Sequence, residues 1–420
     1  MSAALLAIQR DTQSIGASIT RTFAAAQGPL RQEATEVILN TTWHKAGVMS
    51  NLYVRILTNN RPNNSTLIGR HNTADGNLTA TITASTTGEF EDTTNSDTLA
   101  DGDEYNLQLT TGAGGSQFTL SIMSVLFNAT SDTYSRHIAI GSASTASTTH
   151  FVPLSTSYTA TTTEADAQAL MKSSGTMKHL WAYVTTNGRG TTSTIGSRKN
   201  AGAGNLTASI SAGTTGVFED TSNSDSYVSD DLLNWYITLG TGTGTLEVWM
   251  SAGMETTNGT VEMLAHEATS GQAVLAGATG YFPISGRTDE LASESAYRCE
   301  VNYAPTASKA RVYISANTIV ETSTLAFRID GGSGNQAVSV TGLTTGWFSD
   351  GSNSDVLSAT NEVNWQLVVG ATGTSLTLQA LAVLMTVATG VTINPGVGEA
   401  IFDGLQNTLG FGVLMPHEPL

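Results

Sequence analysis

Ten-residue blocks of carboxylates and amides recur three times in this chain. Phe90, Asp92, Asn95 and Asp97 lie in GEFEDTTNSD, Phe218, Asp220, Asn223 and Asp225 in GVFEDTSNSD, and Phe348, Asp350, Asn353 and Asp355 in GWFSDGSNSD. Nine residues beyond each last aspartate stands an asparagine before a large apolar residue, at Asn106-Leu107, Asn234-Trp235 and Asn364-Trp365. Two carboxylates and an amide at this spacing could give oxygens to Ca²⁺, which takes six to eight of them from a flexible loop. Glu91 and Glu219 would strengthen such a site, but the third block has Ser349 there. The same groups build an Asx-type loop, in which Asp and Asn side chains satisfy backbone donors between a core-packed Phe and the next strand. The loop reading is adopted, so the blocks are expected to be a structural signature with no metal and no cofactor.

Other chemistry finds less support. Seven histidines (His44, His71, His137, His150, His179, His266 and His417) share no position among the blocks and form no metal-spaced pair. There is no G-x-S-x-G, no H-E-x-x-H and no Walker loop, and Cys299 has no evident partner. Glu91 with Asp92 is the one weak pair of acids a polysaccharide-cleaving enzyme would have. Trp181, Trp235, Trp249, Trp347 and Trp365 could stack on sugars. Leu107 in the place of Trp235, and Tyr53 in that of Trp181, instead point to core filling, since aromatics dominate sheet interiors by buried area. The N-x-[ST] triplets at Asn77 and Asn205 are expected by chance in so Thr-rich a chain.

The blocks stand 128 and 130 residues apart, too far for a solenoid or propeller blade, so each marks a whole domain. Gly76-Asn77, Gly204-Asn205 and Gly334-Asn335 keep the same offsets, and Thr22-Phe23 is aligned with His150-Phe151 and Tyr281-Phe282. Three modules are expected, at 1–132 with an N-terminal arm, 133–262 and 263–390, with 391–420 as a C-terminal tail. The tail's apolar groups, such as Ile401-Phe402 and Val413-Leu414-Met415, are expected to dock on a module or a neighbouring subunit.

Within a module the periodicity is that of strands. Leu78–Ile82 and Leu206–Ile210 alternate apolar and small or hydroxyl residues, which sends successive side chains to opposite sheet faces. Short aromatic and β-branched runs, including 51–57, 179–184 and 309–314, are bounded by Asn, Gly and Thr. Gly-rich segments at 112–115, 240–244 and 370–373 supply the turns between strands. About eight strands per module follow, and an all-β fold of three tandem antiparallel β-sandwiches of the jelly-roll kind. Only 3–19, with Leu5, Ile8, Ile15 and Ile19, has a helical spacing, weakened by its Ser, Thr and Gly.

Composition bounds the partners. A net charge of −17, without any basic stripe, argues against nucleic acid. No run is long enough to span a membrane, and Met1–Gln9 lacks the charge and apolar core of a secretory signal. A lone cysteine excludes a disulfide framework.

The segment from the Gly-x-Phe turn through Asp225, then Val228-Ser229-Asp230-Asp231 and the strand Leu233–Ile237, resembles the later half of jelly-roll modules in bacteriophage virion proteins. These include head fibres, head decoration proteins and tail or receptor-binding fibres. The resemblance implies a non-enzymatic virion protein that forms a homo-oligomer and meets other capsid or tail proteins, with a host surface glycan as a further partner. It brings over no functional residue. A carbohydrate-binding adhesin would use the same sandwiches, and the modules could form either a threefold cluster or a fibre.

Overall fold

The computed structural model describes residues 3–28, 32–144, 148–155, 160–256, 259–267, 271–286, 288, 290 and 293–387. The expected tail at 391–420 lies outside the described residues. The first set of strands is β1 (Ala3–Ser14), β2 (Thr20–Ala24), β3 (Thr41–Trp43), β4 (Gly47–Asn59), β5 (Ser65–His71), β6 (Ala74–Ile82), β7 (Gly88–Leu99), β8 (Asp103–Thr110) and β9 (Phe118–Ala129). They make two antiparallel sheets, ordered β1-β9-β4-β7 and β2-β8-β5-β6, with β3 also on β8. This interleaving, in which early and late strands alternate between two packed sheets, is the jelly-roll order.

The second set is β10 (Thr133–Ala143), β11 (Thr149–Val152), β12 (Ala169–Leu170), β13 (Gly175–Asn187), β14 (Ser193–Lys199), β15 (Gly202–Ile210), β16 (Gly216–Tyr227), β17 (Leu232–Thr238) and β18 (Leu246–Thr256). Its sheets run β10-β18-β13-β16 and β11-β17-β14-β15, with β12 on β17. The third set is β19 (Thr260–His266), β20 (Gln272–Leu275), β21 (Thr279–Phe282), β22 (Cys299–Glu300), β23 (Pro305–Asn317), β24 (Ser323–Ile329), β25 (Gly332–Val340), β26 (Gly346–Ser349), β27 (Ser354–Val356), β28 (Glu362–Val368) and β29 (Ser375–Val387). Here the orders are β19-β29-β23-β26 and β21-β28-β24-β25, with β20 on β29, β27 on β23 and β22 on β28. Because β19 pairs with β29, residues from Thr260 onward already belong to the third sandwich.

Two expectations are corrected. The stretch with helical spacing is strand β1, which runs antiparallel to β9 with Ala3 opposite Asn128 and Ser14 opposite Thr119. A sheet edge offers a hydrogen-bond ladder to a segment too weak in helix propensity to fold alone. The alignment of Phe23 with Phe151 is one residue out of register. Leu107 faces Phe23, Trp235 faces Val152 and Trp365 faces Phe282, so Val152 is the true counterpart and is buried, whereas Phe151 is only half-buried. With a side-chain period of two, a shift of one residue moves a side chain to the other face.

The three sandwiches close on one another. In each seam, a 3₁₀ turn and the short strand after it dock on the outer face of the next sandwich's sheet that carries the β4-type strand (β4, β13 or β23). From the first to the second, Ala24, Ala26 and Leu39 pack with Ile138, Ile140, Trp181 and Trp249, while Arg136 donates to the Thr42 carbonyl. From the second to the third, Arg311 Nε donates to the Leu170 carbonyl at 2.7 Å, and the Lys172 and Ser173 amides donate to Glu262, each at 2.7 Å. From the third back to the first, Tyr53, Ile122 and Leu126 join the cluster of Cys299, Val301 and Tyr303, and Asn51 Nδ2 donates to the Asn302 carbonyl at 3.3 Å. The order is therefore a ring and not a string. Every β4-type strand carries a bulge there, whose extra residue (Asn51, His179 or Lys309) has a φ of 51°, 55° or 57°.

Candidate functional site

The three blocks all lie at the sheet edge formed by β7, β16 and β26–β27. Phe90, Phe218 and Phe348 are half-buried and pack on their own cores. Asp92, Asp220 and Asp350 are buried, and each carboxylate gathers donors from two segments. Asp220 Oδ1 accepts from the amides of Ser222 at 3.2 Å and Asn223 at 3.1 Å, and its Oδ2 accepts from the Thr207 amide at 3.0 Å and Asn223 Nδ2 at 2.9 Å. Asp92 repeats this with Thr94, Asn95 and Thr79, and Asp350 with Ser352, Asn353 and Ala337.

The second aspartates tie in the strand alongside. Asp97, Asp225 and Asp355 accept from the amides of Asn77, Asn205 and Asn335 at 2.5, 2.7 and 2.6 Å. The glycines before those asparagines are required by contact: a Cβ on Gly76, Gly204 or Gly334 would stand 2.4, 2.6 or 2.8 Å from the carboxylate. Asn106, Asn234 and Asn364 are fully buried on the other sheet. Asn234 and Asn364 donate to the carbonyls of Trp235 and Trp365, whereas Asn106 donates to Glu36 and Asn40.

Burial opposes the charge on Asp220 and Asp350, but the backbone and Asn donors outweigh it and hold both at about 2. A carboxyl whose folded value lies below its unfolded one adds stability above the usual aspartate range and loses it as pH falls from about 4 toward 2. Asp220→Ala is expected to lose about 1–3 kcal/mol at neutral pH, because amide donors are left without an acceptor. Denaturant melts at neutral pH and near pH 2 check this, since the deficit should shrink on acidification.

Two further repeated sets escaped the reading of the sequence. Glu36, Glu164 and Glu294 open the three 3₁₀ turns and bind Arg70, Arg198 and Arg328, with Nε to Oε1 distances of 3.0, 2.5 and 2.9 Å. Their offsets equal those of the aspartate blocks, so the signal was present. The second set is an amide–carboxylate pair, Asn72 with Asp103 at 2.9 Å and Asn200 with Asp231 at 2.7 Å. In the third sandwich its members trade places, with Asn361 Nδ2 on Asp330 at 2.6 Å. Either residue tolerates the left-handed backbone that Asn72, Asn200 and Asp330 adopt.

The remaining candidates are dispersed. Trp181, Trp235, Trp249 and Trp365 are buried, while Trp347 is half-buried with its ring centroid 5.4 Å from that of Tyr313. Glu91 does not form an acid pair with Asp92, whose carboxyl is committed to the turn. Instead the carboxylates of Glu89, Glu91 and Glu300 lie within 4.8 Å of one another across the seam between the first and third sandwiches. Arg55 there is shared by Glu89, Glu362 and the Ser295 carbonyl. Glu300, partly buried and beside Glu91 and Glu89, is pushed up to about 7.

The fold defines a single-chain protein of three jelly-roll sandwiches. No family model matches the chain, and no curated protein matches it. It is similar to a solved chain described as "The Triple Jelly Roll Fold and Turret Assembly in an Archaeal Virus", at 13% identity and a TM-score of 0.17, over 91% of this chain and 90% of that one. A superposition that loose transfers nothing.

Proposed function

We propose that the chain is a non-enzymatic structural protein exposed on a virus particle, of the bacteriophage head-decoration or fibre kind, with modules near 1–132, 133–262 and 263–390 and a tail from 391 for attachment. The observation that carries this reading is the closed ring. Each sandwich spends one sheet face on a neighbour within the same chain, which leaves its sheet edges and turns for contact with other subunits. Such a block is built to persist, because its turns are tied by buried aspartates and its seams by packed aromatics in two cases and a buried ion pair in the third. The aspartate blocks are structural in this proposal: their oxygens already accept N–H donors, whose positive ends repel a cation from the same lone pairs.

An adhesin reading rests on Trp347 and Tyr313, the half-buried aromatic pair at the rim of the third sandwich. The deciding experiment is quantitative mass spectrometry of purified particles. A fixed copy number that is a small multiple of a capsid or tail symmetry element supports the proposal, and absence from the particle overturns it. Glycan binding that disappears with Trp347→Ala would support the adhesin instead.

A further inference from the structure

Of the six described histidines, His71 and His150 bind within their own sandwiches, to Asp103 and Thr148, and the other four lie where sandwiches meet. His44 of the first sandwich stacks on His179 of the second, with ring centroids 4.3 Å apart and planes 22° apart. Buried His137 lies on β10 where Gln27 of the first sandwich pairs with the backbone, and it feels Glu262 of the third. His266 of the third sandwich, also buried, binds the Asp166 carbonyl of the second at 2.8 Å through Nε2. All four lie at the two seams of the second sandwich. The contacts between the first and third sandwiches are made instead by Tyr53, Asn51, Arg55 and the carboxyls of Glu89, Glu91, Glu300 and Glu362.

We infer that the ring is an acid-opened clasp: protonating the seam histidines releases the second sandwich from both neighbours, while the carboxyl-lined contact of the first with the third holds. The charges around each histidine support this. His44 and His179 face each other and Arg136; the one acid beside His44, Asp101, is exposed and 3.6 Å from Nδ1, and Glu255 is already engaged by Lys45 and Lys178. Proton uptake there sets two imidazolium rings face to face beside a buried guanidinium. Glu262, the acid nearest His137, is bound to Arg311, and next to His137 in the chain is Arg136. His266 has a carbonyl partner, and the Asp166 carboxyl is itself partly buried.

Burial lowers all four histidines, and His137 and His266 fall to about 4. The opened state therefore binds more protons between the ordinary histidine range and about pH 4, so these seams weaken as pH falls through that window. The Glu91–Glu300 contact responds the other way, because a shared proton removes the repulsion between its carboxyls.

Hydrogen exchange of the full chain, followed by mass spectrometry near pH 7.5 and pH 4.5 and corrected for intrinsic rates, tests the clasp. At the lower pH we expect protection to fall by about tenfold or more in 36–45, 136–143 and 247–254. It should persist in the core strand 193–199 and in 51–56 and 299–303. His44→Phe/His179→Phe/His266→Gln, which keeps ring stacking and the amide donor without the titration, should move the transition to lower pH. Unchanged protection at low pH, equal loss in every segment, or the same midpoint in the triple variant would each overturn the inference. If that variant does not fold, the wild-type contrast between the two groups of segments decides alone.

Discussion

Arg311→Ala should destabilise the protein by about 3–5 kcal/mol, the cost of stranding a buried charge without its partner. Arg311 is fully buried and its side chain serves both sides of one seam. Nη2 pairs with Glu262, Nε donates to the Leu170 carbonyl of the second sandwich at 2.7 Å, and Nη1 donates to the Lys309 carbonyl at 3.1 Å. Glu262 keeps the Lys172 and Ser173 amides after the substitution but loses its ion pair with Arg311, which leaves a buried carboxylate without that counter-charge. Lysine cannot span the three acceptors, because it lacks the planar fork. Replacing Arg311 and Glu262 together by Met and Leu should recover most of the loss, since well-packed apolar pairs often match buried ion pairs. Equilibrium denaturation of the single and double variants gives both numbers. A single variant within about 1 kcal/mol of wild type would mean that the seam is solvated.

Trp365→Ala should cost a similar amount, about 3–5 kcal/mol, through the cavity it leaves in the third sandwich. Trp365 is fully buried opposite Phe282, and its ring meets that of Phe327 edge-on at a centroid distance of 5.2 Å. Trp365→Leu should lose much less, because the first sandwich places Leu107 at the same ladder position. Thermal melts of the two variants separate a packing role, which the leucine partly rescues, from a role that needs the indole itself.

What could be read in the sequence depended on how local each interaction is. The Asp92–Asn95 tie spans three residues, and so it survives in all three copies as a visible word. The sandwich class followed from alternation in segments such as Leu78–Ile82, because period two is imposed on every residue by the pleat. The ring was not legible, since the equivalent seam positions have diverged to Tyr53, Trp181 and Arg311, each opposite the same position of the aspartate block at Glu91, Glu219 and Ser349. Three chemistries at one position conceal the repeat while giving each seam its own fit. The trade between Asn72–Asp103 and Asp330–Asn361 hid for the same reason: the pair is kept, but neither residue is. The slip at Phe151 came from matching aromatic to aromatic, whereas the sheet matches face to face.

Small-angle X-ray scattering of the monomeric full chain near neutral pH tests the closed ring directly. Three sandwiches closed on one another should give a radius of gyration of roughly 22–26 Å, close to that of any compact chain of this length. A value above about 32 Å, as expected for three modules strung end to end, would contradict it.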